Sequence, residues 1–457
     1  MTIENALIRL ADAFGDQFST AAAVRDHHGQ NESYFPVTLP DGVLFPRSTE
    51  EVSQAVRICA DEGCPVVAWG VGTSLEGHAL AFQGGISLDM SRMDKVLTIN
   101  DADLDAVVQP GVTREGLNTE LRATGLFFPV DPGANATLGG MAATRASGTT
   151  AVRYGTMRDN VLALEAVLAD GQIIRAGSRA RKSSAGYDLK NLIVGSEGTL
   201  AIITELTVRL QGTPESITSA VCPFDTVEGA VAAVIETIQM GIPVARIEFL
   251  DPGAIDAFNK YADMDMALQP HLFLEFHGTE AGTKEQAELF GAIAAEHGAG
   301  EFQWAASLED RNRLWAARHN GYYAMKALKP GCQVLTTDAC VPISRLAEAL
   351  LATMQDMRES PVGGAVVGHV GDGNFHTTLL IDPAKPEDLK EAKRLAHRMN
   401  ELSLRLGGTV TGEHGIGRGK MEYMEAEHGA AWAVMAQIKR ALDPANILNP
   451  GKVVQIN

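Results

Sequence analysis

Hydrophobic and polar positions fall into two textures along the chain, and the change comes near Gln211. Before it, from Arg47 to about Leu210, short apolar runs alternate with glycine-rich stretches. Val52, Val56 and Cys59 recur at helical spacing behind Ser48-Thr49-Glu50-Glu51, a capping-box pattern, so a helix is predicted there. Pro65-Val66-Val67-Ala68-Trp69 reads as a strand feeding a glycine loop. Ala106 to Val108 and Leu164 to Leu168 read as further strands, the latter turning at Asp170-Gly171. Thr204, Leu206, Val208 and Leu210 alternate as a last strand. The first forty residues predict a helical lead-in with a loop near Asp26 to Pro40.

Beyond Gln211 the pattern turns to longer amphipathic helices between strands. One strand-helix-strand unit is predicted over Ser216 to Leu250 and a second over His271 to Trp304. A third runs from Val334 through a helix at Arg345 to Met357 into a hairpin at Val366 to Ile381. Repeated units of this kind predict an antiparallel sheet with helices on one face. Two more helices follow, near Pro386 to Leu406 and Ala430 to Leu442. The fold class is therefore α+β. The boundaries read as a lead-in over 1–39, a glycine-rich domain over 40–212, a sheet-and-helix domain over 213–410, and a closing segment over 411–457.

The hairpin carries the densest chemistry. Asp372-Gly373 between apolar runs is a two-residue turn signal. It places Gly371 opposite Asn374, Val370 opposite Phe375 and His369 opposite His376, with the imidazoles on one face and Cβ atoms about 5 Å apart. Two such rings can share a divalent metal. Glu413-His414, set between Gly412 and Gly415, can add a hard carboxylate ligand and a titratable base. His369, His376 and Glu413 would leave a zinc-like ion with an open position for substrate. The plainer reading is cross-strand packing of two histidines beside a glycine loop.

Composition narrows the function. A net charge of −19 argues against nucleic acid as a partner and leaves an anionic substrate in need of local cations. Apolar runs are short and broken, so no transmembrane helix is expected. Met1 to Leu10 reads as neither a secretory signal nor an Arg-rich transit peptide. Cys59, Cys64, Cys222, Cys332 and Cys340 lack C-x-x-C spacing, which argues against a disulfide framework, an iron-sulfur cluster or a thiolate zinc site. A cytoplasmic setting, or one peripheral to the inner membrane, is expected.

Trp69-Gly70-Val71-Gly72-Thr73-Ser74-Leu75-Glu76-Gly77 follows a strand and can aim backbone N–H groups at phosphate oxygens. It is neither a Rossmann fingerprint, since Leu75 occupies the third glycine position, nor a P-loop. Asp131-Pro132-Gly133-Ala134, Thr137-Leu138-Gly139-Gly140, Ala146-Ser147-Gly148 and Gly195-Ser196-Glu197-Gly198-Thr199-Leu200 add small-residue stretches suited to backbone packed along an extended ligand.

These stretches resemble the FAD-binding domain of the vanillyl-alcohol oxidase / p-cresol methylhydroxylase superfamily. His369 to His376 and Thr411 to Gly417 resemble its FAD-linked oxidase C-terminal domain. The nearest branch holds FAD-dependent D-lactate dehydrogenases, glycolate oxidase flavin subunits and D-2-hydroxyglutarate dehydrogenases. The likeness runs from about Pro40 to Gly451. It implies that Trp69, Gly70, Val71, Gly72, Thr73 and Ser74 hold the FAD pyrophosphate. It also implies that Pro132, Gly133, Thr137, Gly140, Ser147 and Gly148 line the flavin, that Ile203 lies near the adenine end, and that Asn449 reaches the flavin from the C-terminus. Covalently linked relatives carry a His in the first glycine loop; Thr73 stands there in this chain, so dissociable FAD is expected.

Oxidising a 2-hydroxy acid requires the loss of a hydroxyl proton and a carbon-bound hydride, the latter to flavin N5. His414 is the base. Asn374, on the same strand face as His376, is expected to hydrogen-bond substrate. The resemblance assigns the substrate carboxylate to Arg318 in Trp315-Ala316-Ala317-Arg318-His319. Relatives that take D-2-hydroxyglutarate carry a Lys shortly before the strand Asp. Thr336-Thr337 precedes Asp338 here, which favours D-lactate or another small monocarboxylate. The alternatives are a glycolate or D-2-hydroxyglutarate dehydrogenase, a flavin subunit of a multi-subunit glycolate oxidase, and a binding protein with structural histidines. The expected metal is divalent, zinc or manganese. Electrons must leave to an external acceptor: quinone, cytochrome c or another flavoprotein. A homodimer is admissible.

Overall fold

The structure, a computed structural model, describes residues 2–305 and 308–456. The chain divides into two compact units. The first comprises Met1–Ser147, Gly155–Thr213 and Glu413–Asn457; the second comprises Gly148–Tyr154 and Pro214–Gly412. Two of the crossings, Ser147/Gly148 and Gly412/Glu413, fall inside motifs singled out above.

The first unit contains a four-stranded sheet in the order Phe18–Ser19, Gly42–Leu44, Ile86–Asp89, Val66–Trp69, the last three parallel. A five-stranded antiparallel sheet runs Val96–Asn100, Asp105–Val108, Ile202–Arg209, Val161–Val167, Ile173–Gly177. The helix Thr49–Glu62 forms as the spacing predicts. Its Val52, Val56 and Cys59 are fully buried against Val66, Ile86 and Leu88. Its cap is half of the expected box. Ser48 Oγ accepts from Glu51 N, but the Glu51 carboxylate takes Arg47 N at 2.7 Å instead of returning to Ser48.

The second unit is built on an antiparallel sheet. Its strands run Gln303–Trp304, Ser216–Pro223, His271–Gly278, Val244–Leu250, Gly364–His369, Asn374–Ile381, Gln333–Thr336, and Ala339–Cys340 also pairs with Asn374–Ile381. One face carries Ile247, Phe249, Leu272, Leu274, Phe276, Val366 and Phe375 beneath the helices Val227–Gln239, Glu280–Glu296 and Leu346–Arg358. The other face is covered as well, which corrects the expectation of helices on one side only. There Leu250, Phe273, Ala365 and Leu380 pack against Ala254 and Phe258 of Pro252–Ala262, against Leu314 and Trp315, and against Ala324 and Met325. The cause is legible in His271–Gly278. Phe273 alternates with Leu272 and Leu274, so both sides of that strand are apolar and both need cover. Toward one end this second face turns polar. Ser219, Arg246, Glu248, Glu275, His277, His369 and His376 lie there in place of aliphatics.

Candidate active site

The hairpin at 369–376 forms with a different register from the one expected. His369 pairs with Asn374, Gly368 with Phe375 and Val367 with His376, so the loop is Val370 to Gly373. A two-residue type I′ turn needs positive φ at both central residues. Gly373 has φ 78, whereas Asp372 is not among the residues with positive φ. Val370, fully buried, leaves the ladder to enter the apolar core. The two-residue shift preserves strand parity, so His369 and His376 still share a face as diagonal neighbours. Their ring centroids are 5.3 Å apart, and a ring nitrogen of each lies within 4.8 Å of the other.

Each ring is held at Nδ1. His376 Nδ1 lies 3.1 Å from the Thr337 carbonyl oxygen, which can only accept, so Nδ1 carries the proton. His369 Nδ1 lies 2.7 Å from Glu248 Oε1 and donates to it. The ligating nitrogen of each would therefore be Nε2. Metal-binding imidazoles are oriented in this way, with the second nitrogen donating to a carboxylate or carbonyl. The donor set thus fits a divalent ion.

Arg318 stands beside this pair. Its Nε and Nη2 donate to Glu248 Oε2 at 2.9 and 2.5 Å. The guanidinium expected to meet a substrate carboxylate is thus already engaged by a protein carboxylate on its Nε edge. Asn374 is fixed by Asp338. Its Nδ2 donates to Asp338 Oδ1 at 2.7 Å and to the Ala339 carbonyl at 2.8 Å, so contact with a substrate donor would fall to its Oδ1. Asp338 also accepts from Thr411 Oγ1 at 2.7 Å. Glu248 and Asp338 are both fully buried and had been given no role from sequence. The available signal was an acidic residue between Ile247 and Phe249, alternating with Arg246 and Leu250 on the face opposite the apolar core. Farther along the same face, Glu275 accepts from Ser219 Oγ at 3.0 Å and meets Arg246 at 3.1 Å and His277 Nε2 at 2.7 Å. Tyr154 Oη reaches His277 Nδ1 at 2.7 Å.

Glu413 and His414 open the last stretch of the first unit, one peptide bond after Gly412. They sit in a bend, not on a strand, so the rule that sequence neighbours face opposite ways does not apply. Their side chains lie 4.0 Å apart. Glu197 anchors this bend: its carboxylate accepts from Ile416 N and Gly417 N, each at 2.7 Å, and faces His78 Nε2 at 3.1 Å. Burial pushes the Glu197 carboxyl up; His78 and the two amides outweigh that and hold it below the usual range.

The glycine loop fits an extended anionic ligand. Among the described residues, no backbone N–H from Gly70 to Ser74 donates to a backbone carbonyl in a turn, loop or cap. Loop and helix cap approach closely, since a Cβ at Gly70 would lie 2.5 Å from Thr137 Oγ1. Trp69 Nε1 and His78 Nδ1 are buried without hydrogen-bond partners among the described residues. Polar groups left in this way in a native interior point to a bound group that completes them. Ile203 is buried in the core of the five-stranded sheet. Asn449, expected at the flavin, uses its Nδ2 on the His78 and Glu197 carbonyls at 3.1 and 2.6 Å. Lys452 Nζ joins it on the His78 and Leu80 carbonyls, both at 2.7 Å.

Comparison with known proteins identifies the chain as a flavoprotein oxidoreductase. Residues 40–177 match the family described as FAD binding domain, and residues 213–453 match the C-terminal domain of FAD linked oxidases. The chain belongs to this FAD-linked oxidase family. It is 48% identical over 459 residues to a probable mitochondrial D-lactate dehydrogenase of Danio rerio, covering 99% of this chain and 92% of the relative. It is 46% identical to a mitochondrial D-lactate dehydrogenase [cytochrome] of Arabidopsis thaliana, covering 96% and 78%. The glycolate oxidase subunit GlcD of Bacillus subtilis is 35% identical over 91% of this chain and 89% of its own length. Among solved structures, p-cresol methylhydroxylase with substrate bound superposes with a TM-score of 0.80 at 16% identity over 98% of this chain and 96% of that one, a likeness of fold. Among the described residues no helix is long and apolar enough to cross a membrane.

Proposed function

We propose that this FAD-linked oxidoreductase oxidises a small D-2-hydroxy acid, D-lactate first, to the 2-oxo acid, with a divalent ion assisting. The observation that carries this reading is the near-full-length identity of 48% to a relative named as a probable D-lactate dehydrogenase. The engagement of both hairpin imidazoles through Nδ1 supports the metal. FAD, when bound along the Gly70 to Ser74 loop, supplies the hydride acceptor. A zinc or manganese ion held by His369, His376 and Glu413 would supply a Lewis acid that makes the substrate hydroxyl more acidic. His414, as general base, takes the hydroxyl proton on its imidazole. Arg318 neutralises the substrate carboxylate with its Nη1 side, the Nε edge being engaged by Glu248. Asn374 orients substrate through Oδ1. Three relatives are named for cytochrome, and a cytochrome is the acceptor we favour over quinone or another flavoprotein.

The test is anaerobic bleaching of the purified protein's visible spectrum by D-lactate, L-lactate, glycolate and D-2-hydroxyglutarate. D-Lactate should bleach fastest and L-lactate should not bleach. Chelation, and separately His414→Ala, should slow bleaching at least ~10²-fold while the protein stays yellow. Fastest bleaching by glycolate would move the assignment toward the glycolate oxidase branch, to which the Bacillus subtilis relative belongs. A colourless protein would end the flavin reading.

A further inference from the structure

Glu248 lies in the strand Val244–Leu250, one step from Ile247 and Phe249, which face the apolar core. Its carboxylate points to the opposite side and has no solvent exposure. An unpartnered carboxylate there would be strongly disfavoured. Its oxygens are divided between two partners: Oε1 accepts from His369 Nδ1 at 2.7 Å, and Oε2 accepts from Arg318 Nε and Nη2 at 2.9 and 2.5 Å. Strand pairing reinforces the link. Phe249 is registered against Gly368 and Leu250 against Val367, so continuing the antiparallel register sets Glu248 opposite His369. Arg318 arrives from the helix Leu308–His319, whose Trp315 anchors it by donating from Nε1 to Ser219 Oγ at 3.2 Å.

We propose that Glu248 is a positioning residue that couples metal binding to substrate-carboxylate binding. The inference rests on the roles proposed above for His369 and Arg318. On the histidine side, Glu248 holds the proton on Nδ1 and thereby makes Nε2 the ligand atom. On the arginine side, it engages the Nε edge and turns the Nη1 side to the substrate. A single side chain thus sets the orientation of two groups that come from a hairpin and a helix far apart in sequence.

A buried ion pair that only stabilises the fold would move neither metal affinity nor KM. The FAD-loaded parent, Glu248→Gln and Glu248→Asp are compared, the Asp variant retaining the charge if the Gln variant folds poorly. Zinc and manganese binding to metal-stripped protein is measured by calorimetry, and kcat and KM for D-lactate are measured across metal concentrations. Metal affinity should fall about 10–100-fold in Glu248→Gln, and less in Glu248→Asp. Saturating metal should restore kcat, while KM stays raised about tenfold or more because Arg318 is still misdirected. A lowered melting temperature with metal affinity and KM within twofold of the parent would overturn the inference while leaving the proposed reaction intact. Failure of the parent itself to bind either metal would overturn the metal reading and this inference together.

Discussion

At the scale of single residues, burial decides which groups titrate unusually. Asp251 caps the helix Pro252–Ala262, accepting from Ala254 N at 2.7 Å, and burial pushes its carboxyl up to about 6. The unfolded chain titrates it near 4. Between those values the folded state binds more protons than the unfolded state, so stability declines as pH rises through that window. Below about pH 4 the contribution is fully present; above about 6 it is lost, a change on the order of 2–3 kcal/mol. Asparagine caps helices as well as aspartate does. Asp251→Asn should therefore gain stability over the parent at pH 8 and little at pH 4.5, measured as urea midpoints at both values. A gap independent of pH would remove the buried charge as its cause. The Asp251 cap was not singled out from the sequence, and its titration could not be, because that depends on what packs around the cap. His369 and His376 were legible for the same reason that Glu248 was not. Histidines beside a turn announce themselves, while a carboxylate set among aliphatics discloses its partners, Arg318 from 70 residues away and His369 from 121, only in three dimensions.

At the scale of elements, periodicity located the strand-helix-strand units of the second unit, because amphipathic helices and alternating strands bury one side each. It misjudged the cover of the sheet, since Pro252–Ala262 and Gly321–Ala327 fill a second layer that a single-faced sheet would not need. The hairpin shows how a turn signal can be correct in place and wrong in register. Gly373 is essential to the loop observed: it has φ 78, its carbonyl accepts from Val341 N at 3.0 Å, and an added Cβ would lie 2.1 Å from the Val341 oxygen. Gly373→Ala should therefore destabilise the protein by roughly 2–4 kcal/mol, from positive-φ strain plus overpacking against backbone. Because that loop sets the spacing of His369 and His376, zinc affinity should fall with it. Chemical denaturation and metal titration of the same preparation test both halves. A variant as stable as the parent would mean that a different turn is adopted in solution.

At the scale of the whole molecule, charge is the property that sequence alone fixes, and −19 on 457 residues is a strong field. The same balance that argues against nucleic acid suits a basic protein acceptor, and it bears on how electrons leave. Attraction between opposite net charges raises encounter rates and is screened as the Debye length shrinks from about 30 Å at 0.01 M salt to about 8 Å at 0.15 M. With D-lactate saturating, the rate of reduction of a basic ferricytochrome c at limiting concentration should fall about tenfold or more across that range. Reduction of an uncharged dye by the same enzyme should change little, because its encounter has no charge to steer. The paired measurement separates a salt effect on docking from one on chemistry. Equal salt dependence for both acceptors would place the effect in the chemistry and not in docking, and would count against electrostatic steering of the acceptor. Salt independence for both would mean that the acceptor meets a locally neutral face and that the cytochrome preference has no electrostatic basis.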